Sequence, residues 1–206
     1  MLKRAEWAIF VFFALTIGLY PALYFILDRK FGLLGGKPEA LLNDIFWNAG
    51  FYTHIIFGGI ALLTGWIQFS KKIRDRNITL HRRFGQVYVA AALTSALAGI
   101  YIGFFATGGA IAATGFISLG VVWFSTTLEA YRQILRKQIE AHKKWMFYSY
   151  AACFAAVMLR LWLPLLTFIF GDFITAYKLV AWLCWLPNLA FVRFYLLKTN
   201  SLAFKS

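Results

Sequence analysis

Residues 81–106 read HRRFGQVYVAAALTSALAGIYIGFFA: a histidine and two arginines, then Phe84–Ala106 without one charged side chain. At about 1.5 Å of rise per residue, about 20 uncharged residues cover the roughly 30 Å hydrocarbon core of a bilayer. Backbone amides have no water to bond inside lipid, so a block of this kind must cross as a helix. Five more blocks qualify: Trp7–Leu27, Phe51–Phe69, Ala110–Tyr131, Trp145–Gly171 and Ile174–Leu197. Within them the charged residues are few, Arg160 in the fifth and Lys178 and Arg193 in the sixth. The composition agrees, 61% hydrophobic and 14% charged, against about 25% charged in an ordinary soluble domain. No linker or shift in composition divides residues 1–206. The expected fold is all-α, a single integral membrane bundle of six transmembrane helices.

The start, MLKR, has the basic character of a signal peptide, but the apolar block behind it is longer than an h-region and no small-x-small site follows. An uncleaved anchor is predicted. Cys153 and Cys184 fall inside blocks, where thiols fill space, and no disulfide is expected.

Charge orients the chain. Lys71, Lys72, Arg74, Arg76, Arg82 and Arg83 crowd the connection before Phe84, and Arg132, Arg136, Lys137, Lys143 and Lys144 the one before Trp145. The connections TGG (107–109) and GD (171–172) carry no Lys or Arg. Lys and Arg stay on the cytoplasmic side, so both crowded connections and both termini are predicted inside, at the cytoplasmic (inner) membrane. The net charge of +13 then implies anionic lipid headgroups as the partner of the basic loops rather than nucleic acid. The first outer connection mixes Arg29, Lys30 and Lys37 with Asp28, Glu39 and Asp44. After the break at Gly35 and Gly36, Pro38 suits a first helical turn, and Leu41, Leu42, Ile45 and Phe46 recur on one face. A helix lying flat at the interface and roofing the outer mouth is predicted.

Sixty-one positions after His81 the chain repeats the setting as HKKWMFYSYAA (142–152). The same offset places Gln68 over Glu129. Either the two helical hairpins are a degenerate parallel repeat, or both loops obey one charge rule. Small residues recur at helical spacing, Ser95, Gly99 and Gly103 on one helix, Ala61 and Gly65, Gly109 and Ala113 on others. Such stripes serve close helix packing or a groove for a flat cofactor.

Ionisable groups inside a bilayer are costly and mark candidate sites. An inner cluster gathers Gln68, His81, Arg82, Arg83, Glu129 and His142 near one boundary. Three readings are open. His81, His142 and Glu129 suit a divalent metal, although no HExxH motif or cysteine partner accompanies them. His81 and His142 as axial ligands would hold haem b, with the flanking Arg82, Arg83, Lys143 and Lys144 on its propionates. Or both are interfacial residues that cap helices and touch phosphate heads. A second level lies about 22 Å deeper at the helical rise, where His54 and Arg160 coincide. Arg160 cannot face lipid cheaply, so it is predicted to turn into the bundle.

With HIIFGGIALLTGWIQF, LHRRFGQVY, AHKKWMFYSYA and MLRLWLP in view, residues of about 50–170 resemble a bacterial family of multi-pass membrane proteins, domain-of-unknown-function family 2306. That family's pattern, a histidine opening a span that ends Gly-x-x-Gln-Phe, then His-Arg-x-x-Gly, His-x-x-Trp-Met and Leu-Arg, falls here on His54, Gln68, His81, Arg82, Gly85, His142, Trp145, Met146 and Arg160. Lys143 stands where the pattern has Arg. The resemblance implies that the three histidines and Arg160 belong to a site, without naming an activity. The function classes open at this point are a metal- or ligand-binding membrane protein, redox-linked if haem is bound; a transporter or channel with a proton or anion path through Arg160, His54 and Glu129; and an interaction subunit with no site of its own.

Overall fold

The computed structural model describes residues 4–203, with side chains through Thr199; the first three residues of the basic start lie outside the described residues. Among the described residues six helices are long and apolar enough to cross a membrane: Arg4–Ile26, Ile45–Phe69, Ile78–Gly103, Ala110–Leu135, Ile139–Phe170 and Phe173–Thr199, here the first to sixth spans. Phe12, Phe25, Phe46, Phe104, Phe168 and Phe191 point outward from them. In water such a belt would drive aggregation; in a bilayer it is the shell that lipid solvates.

Side-chain caps set where the second, third and sixth spans begin. Asp44 accepts the Trp47 N–H at 2.6 Å, Asn77 that of Leu80 at 2.9 Å and Asp172 that of Thr175 at 2.8 Å, each meeting an amide the first turn leaves free. Because Asn77 caps it, the third span starts well before the apolar block, and His81, Arg82 and Arg83 lie inside its first turns. The fifth span likewise starts at Ile139 and takes in His142. Breaks follow prolines in two spans. The first tightens into a 3-10 turn at Tyr20–Ala22 around Pro21, and the sixth opens at Cys184 and Trp185 just ahead of Pro187, as expected of a residue that has no N–H and crowds the carbonyl four back.

The flat helix of the first outer connection is shorter than its apolar pattern predicts. One helical turn, Glu39–Leu42, follows Pro38. Asp44 then caps a new helix, so Ile45 and Phe46 belong to the second span and face outward, whereas Leu42 is buried against Leu34 and Trp47. The turn is tied down by Arg29, which donates to the Leu42 carbonyl at 2.8 Å, to the Tyr52 hydroxyl at 2.7 Å and to the Asn48 side-chain oxygen.

Spans one to five close a ring, each packed on its neighbours in sequence and the first also on the fifth; the sixth lies outside, against the fourth and fifth. Helices in lipid gain little by hiding apolar surface from water, so close backbone approach and interhelical hydrogen bonds carry more of the association. At Gly59 a Cβ would come within 2.6 Å of the Gly18 carbonyl oxygen, so the first two spans touch backbone to backbone. The spans also meet through a buried hydroxyl chain. Tyr88 of the third span lies 2.7 Å from Ser149 Oγ of the fifth, and Ser149 2.6 Å from Thr127 Oγ1 of the fourth, which donates to the Trp123 carbonyl. Run in one direction, Tyr88 to Ser149 to Thr127 to carbonyl, every hydroxyl proton is placed. Cys153 and Cys184 are buried free thiols.

Candidate functional site

At the end of the bundle away from the basic connections, all six spans border a cavity of about 210 Å³. The second span brings His54 to it and the fifth brings Arg160. Its remaining wall is mostly apolar, including Ile17, Leu62, Ile102, Phe116 and Leu159, with Lys37 and Leu34 of the first outer connection at its roof.

His54 is held from behind. Its Nδ1 lies 2.9 Å from the Ser95 carbonyl oxygen, which can only accept, so Nδ1 carries the hydrogen and Nε2 of the neutral ring keeps its lone pair. The Ser95 hydroxyl donates to the His54 carbonyl at 2.8 Å. Gly99, one turn along the third span, supplies the room. A Cβ there would stand 2.9 Å from Nδ1 and 3.0 Å from Cε1. Part of the small-residue stripe therefore seats a ring rather than a neighbouring helix backbone.

Arg160 is less well satisfied. Nη1 donates to the Ala156 carbonyl of its own helix at 2.9 Å, and the guanidinium lies over the Tyr20 ring, 4.3 Å from its centroid. Its Nε is buried and has no hydrogen-bond partner. Among the described residues no carboxylate lines the cavity, and Arg160 forms no ion pair. Trp47, 2% exposed, lines the same space, and its indole N–H is also without a partner. Pro164 lacks the N–H that the Arg160 carbonyl would accept in a regular helix, which leaves a further polar atom at this level to be met.

The inner residues are arranged differently. His142 donates from Nδ1 to the Ala130 carbonyl at 2.8 Å, at the end of the fourth span. Gln68 donates to the His81 carbonyl at 3.3 Å and packs over Gly85. His81 has a buried Nδ1 with no partner, and Arg74, His142 and Arg82 are the groups within electrostatic reach of its ring. Arg82 is itself exposed. Glu129 is engaged elsewhere: it accepts from the Gln133 side chain and lies 3.9 Å from Arg132. The trio of His81, His142 and Glu129 is not assembled as a metal site. Among the described residues no three His, Cys, Asp or Glu side chains group closely enough to hold an ion. Glu129 does not line the cavity of His54 and Arg160 either.

Sequence reasoning missed Lys37, Trp47 and Ser95 as companions of His54. It also missed the Tyr88–Ser149 bond, although a signal was present: the two residues are sixty-one apart, the offset that relates His81 to His142.

Six apolar spans define a multi-pass helical membrane protein, and the cavity between them is lined by an arginine that forms no ion pair among the described residues. The chain belongs to the family described as predicted membrane protein (DUF2306), whose model matches residues 51–196. His54, Ser95, Gly99 and Arg160 lie within the matched segment; Lys37 and Trp47 lie before it. No curated protein and no solved structure matches the chain.

Proposed function

We propose that the chain is a ligand-binding membrane protein whose site is the cavity faced by His54 and Arg160. The observation that carries this reading is the state of Arg160. A guanidinium inside a bundle is retained only if something meets it, and here its partners are one carbonyl and one ring face, Nε is buried without a hydrogen bond, and the cavity the side chain lines holds no carboxylate among the described residues. His54 adds a lone pair of fixed direction, held by Ser95 and Gly99. The test is mass spectrometry of small molecules extracted from protein purified in nanodiscs. A compound retained stoichiometrically by the wild type and lost from Arg160→Gln, with the helical circular dichroism and elution volume unchanged, is the expected result. Nothing retained by either protein, together with equal melting temperatures, would remove the reading.

A second reading is favoured by the inner histidines. The His142 tautomer set by the Ala130 carbonyl leaves Nε2 free, as in ligating histidines oriented by a backbone acceptor, and His81 stands within electrostatic reach with its own Nδ1 unpartnered. This pair would take haem b or a divalent metal. The absorption spectrum and elemental analysis of the purified protein test it: a Soret band or bound metal abolished by His81→Ala and by His142→Ala supports it, and neither signal in the wild type sinks it. In both readings the basic end faces the cytoplasm and anionic headgroups.

A further inference from the structure

We infer that the occupant of the cavity is an amphiphilic monoanion, a carboxylate or phosphate head on an apolar body, which enters past Lys37 and places its head at Arg160. The inference rests on the cavity reading above and adds the ligand's chemistry and route.

Charge selects the head. The ionisable side chains around the cavity include Arg160, Lys37 and His54 and, among the described residues, no acid. The buried side-chain polar atoms without a partner on residues that line it, Arg160 Nε, Trp47 Nε1 and Trp123 Nε1, are all donors. A cationic ligand would bring repulsion to an unpaired guanidinium, and a neutral hydrocarbon would leave it bare. An anion supplies acceptors and the missing countercharge, and guanidinium matches the planar oxygens of carboxylate and phosphate. His54 Nε2 is an acceptor, suited to the hydroxyl of a singly protonated head or to a bridging water.

The walls select the body. Aliphatic and aromatic side chains, with alanines and glycines between them, make up most of the lining, and about 210 Å³ equals the space of about seven waters at about 30 Å³ each. A medium-length alkyl chain fits; seven waters against such walls would find few partners.

The route is marked by two residues. Lys37 and Ala106 line both the inner cavity and an open groove on the surface between the first outer connection and residues 104–107. The Lys37 ammonium donates to the Phe105 carbonyl and so ties the connection across this mouth. An anion arriving in the groove meets Lys37 first and Arg160 deeper in, two cations in sequence along one path.

Terminally brominated probes in nanodiscs test this, because bromine quenches tryptophan on contact and Trp47 and Trp123 line the cavity. Four decyl probes share one chain and differ in the head: decanoate, decyl phosphate, decanol and decyltrimethylammonium. Chains dissolved in lipid quench outward tryptophans without saturating, so the saturable component reports the cavity. Saturable quenching by decanoate, decyl phosphate or both is expected, weakened about tenfold or more in Arg160→Gln and partly restored in Arg160→Lys. Preference between the two anions tells whether a free acid or a phosphate-headed lipid is the source. Lys37→Gln should slow the approach to saturation more than it lowers final occupancy, since a charge at a mouth acts on association. Equal saturable quenching by decanol, unaffected in Arg160→Gln, would overturn the anion while leaving the cavity as a binding site. No saturable component with any head would overturn the inference outright, and the extraction experiment then decides separately whether the cavity reading survives.

Discussion

At the scale of single residues, His54 depends on an absence. Gly99 leaves the ring its place, and restoring one methyl puts a carbon 2.9 Å from Nδ1, closer than such atoms approach without movement. Gly99→Ala is therefore expected to push the ring off the Ser95 carbonyl and to destabilise the protein by about 1–3 kcal/mol, the usual range for overpacking. A thermal melt in detergent checks it. An unchanged melting temperature with wild-type probe binding would show that the ring adapts without cost. His54 and Arg160 themselves were legible in the sequence because each is an expensive side chain in an apolar block, and counting residues set them at a common depth. Gly99 was legible only as a member of a small-residue stripe, because spacing along one helix does not tell which neighbour the stripe receives. Lys37 and Trp47 escaped for a similar reason: they precede the second apolar block, and only the folding back of their connection carries them over the cavity.

At the scale of elements, the turn between the fourth and fifth spans carries a backbone conformation that its residue does not favour. The Gln138 N–H reaches the Gln133 carbonyl at 2.9 Å and the Lys137 N–H that of Ile134 at 3.0 Å, the paired bonds of a Schellman ending whose left-handed position glycine usually fills. Here that position is Lys137, with φ 61°. Lys137→Gly is expected to raise stability by about 1 kcal/mol, the left-handed cost of a residue with a Cβ; a lower melting temperature would show that the lysine chain contributes more than its backbone costs. At the other end of the bundle, Asp172 caps the sixth span. Bonding from the Thr175 side chain first, then from the Thr175 and Ile174 amides, with Lys178 nearby, holds its carboxyl below the ordinary carboxylate range. Its contribution is present above the unfolded value of about 3.9 and is lost as the pH falls further, through the lower folded value. Asp172→Asn keeps a capping oxygen without the titration, so its melting temperature should fall less steeply than the wild type's between about pH 5 and pH 2; parallel curves would detach Asp172 from the acid response. Caps also explain the misplaced boundaries. Hydropathy locates where lipid begins, whereas Asn77 and Asp44 locate where the helix begins, which is why His81 sits inside a helix and the outer amphipathic pattern is split in two.

At the scale of the whole molecule, the six crossings followed from hydropathy because lipid leaves the backbone no other way through, while the closing of the ring depends on rotations about helix axes that hydropathy does not encode. The offset of sixty-one residues is the exception. It relates His81 to His142 and Gln68 to Glu129, and it also relates Tyr88 to Ser149, which are in contact. Tyr88 belongs to the third span and Ser149 to the fifth, so their bond joins the hairpin of spans two and three to the hairpin of spans four and five. Both side chains are wholly buried, and with Thr127 they form the polar join between hairpins that elsewhere meet mainly through apolar contacts. Ser149→Ala takes from the buried Tyr88 hydroxyl the oxygen it meets, and Tyr88→Phe takes from Ser149 one of its two hydroxyl partners, so each should destabilise, and the double variant should cost less than the two added together. The coupling expected for an interhelical hydrogen bond in a membrane protein is about 0.6–1.7 kcal/mol. Reversible unfolding of the four proteins in mixed micelles measures it. Strict additivity would mean that the hydroxyl chain is incidental to the join, which would then rest on packing and on the bond from the Tyr150 hydroxyl to the Leu62 carbonyl.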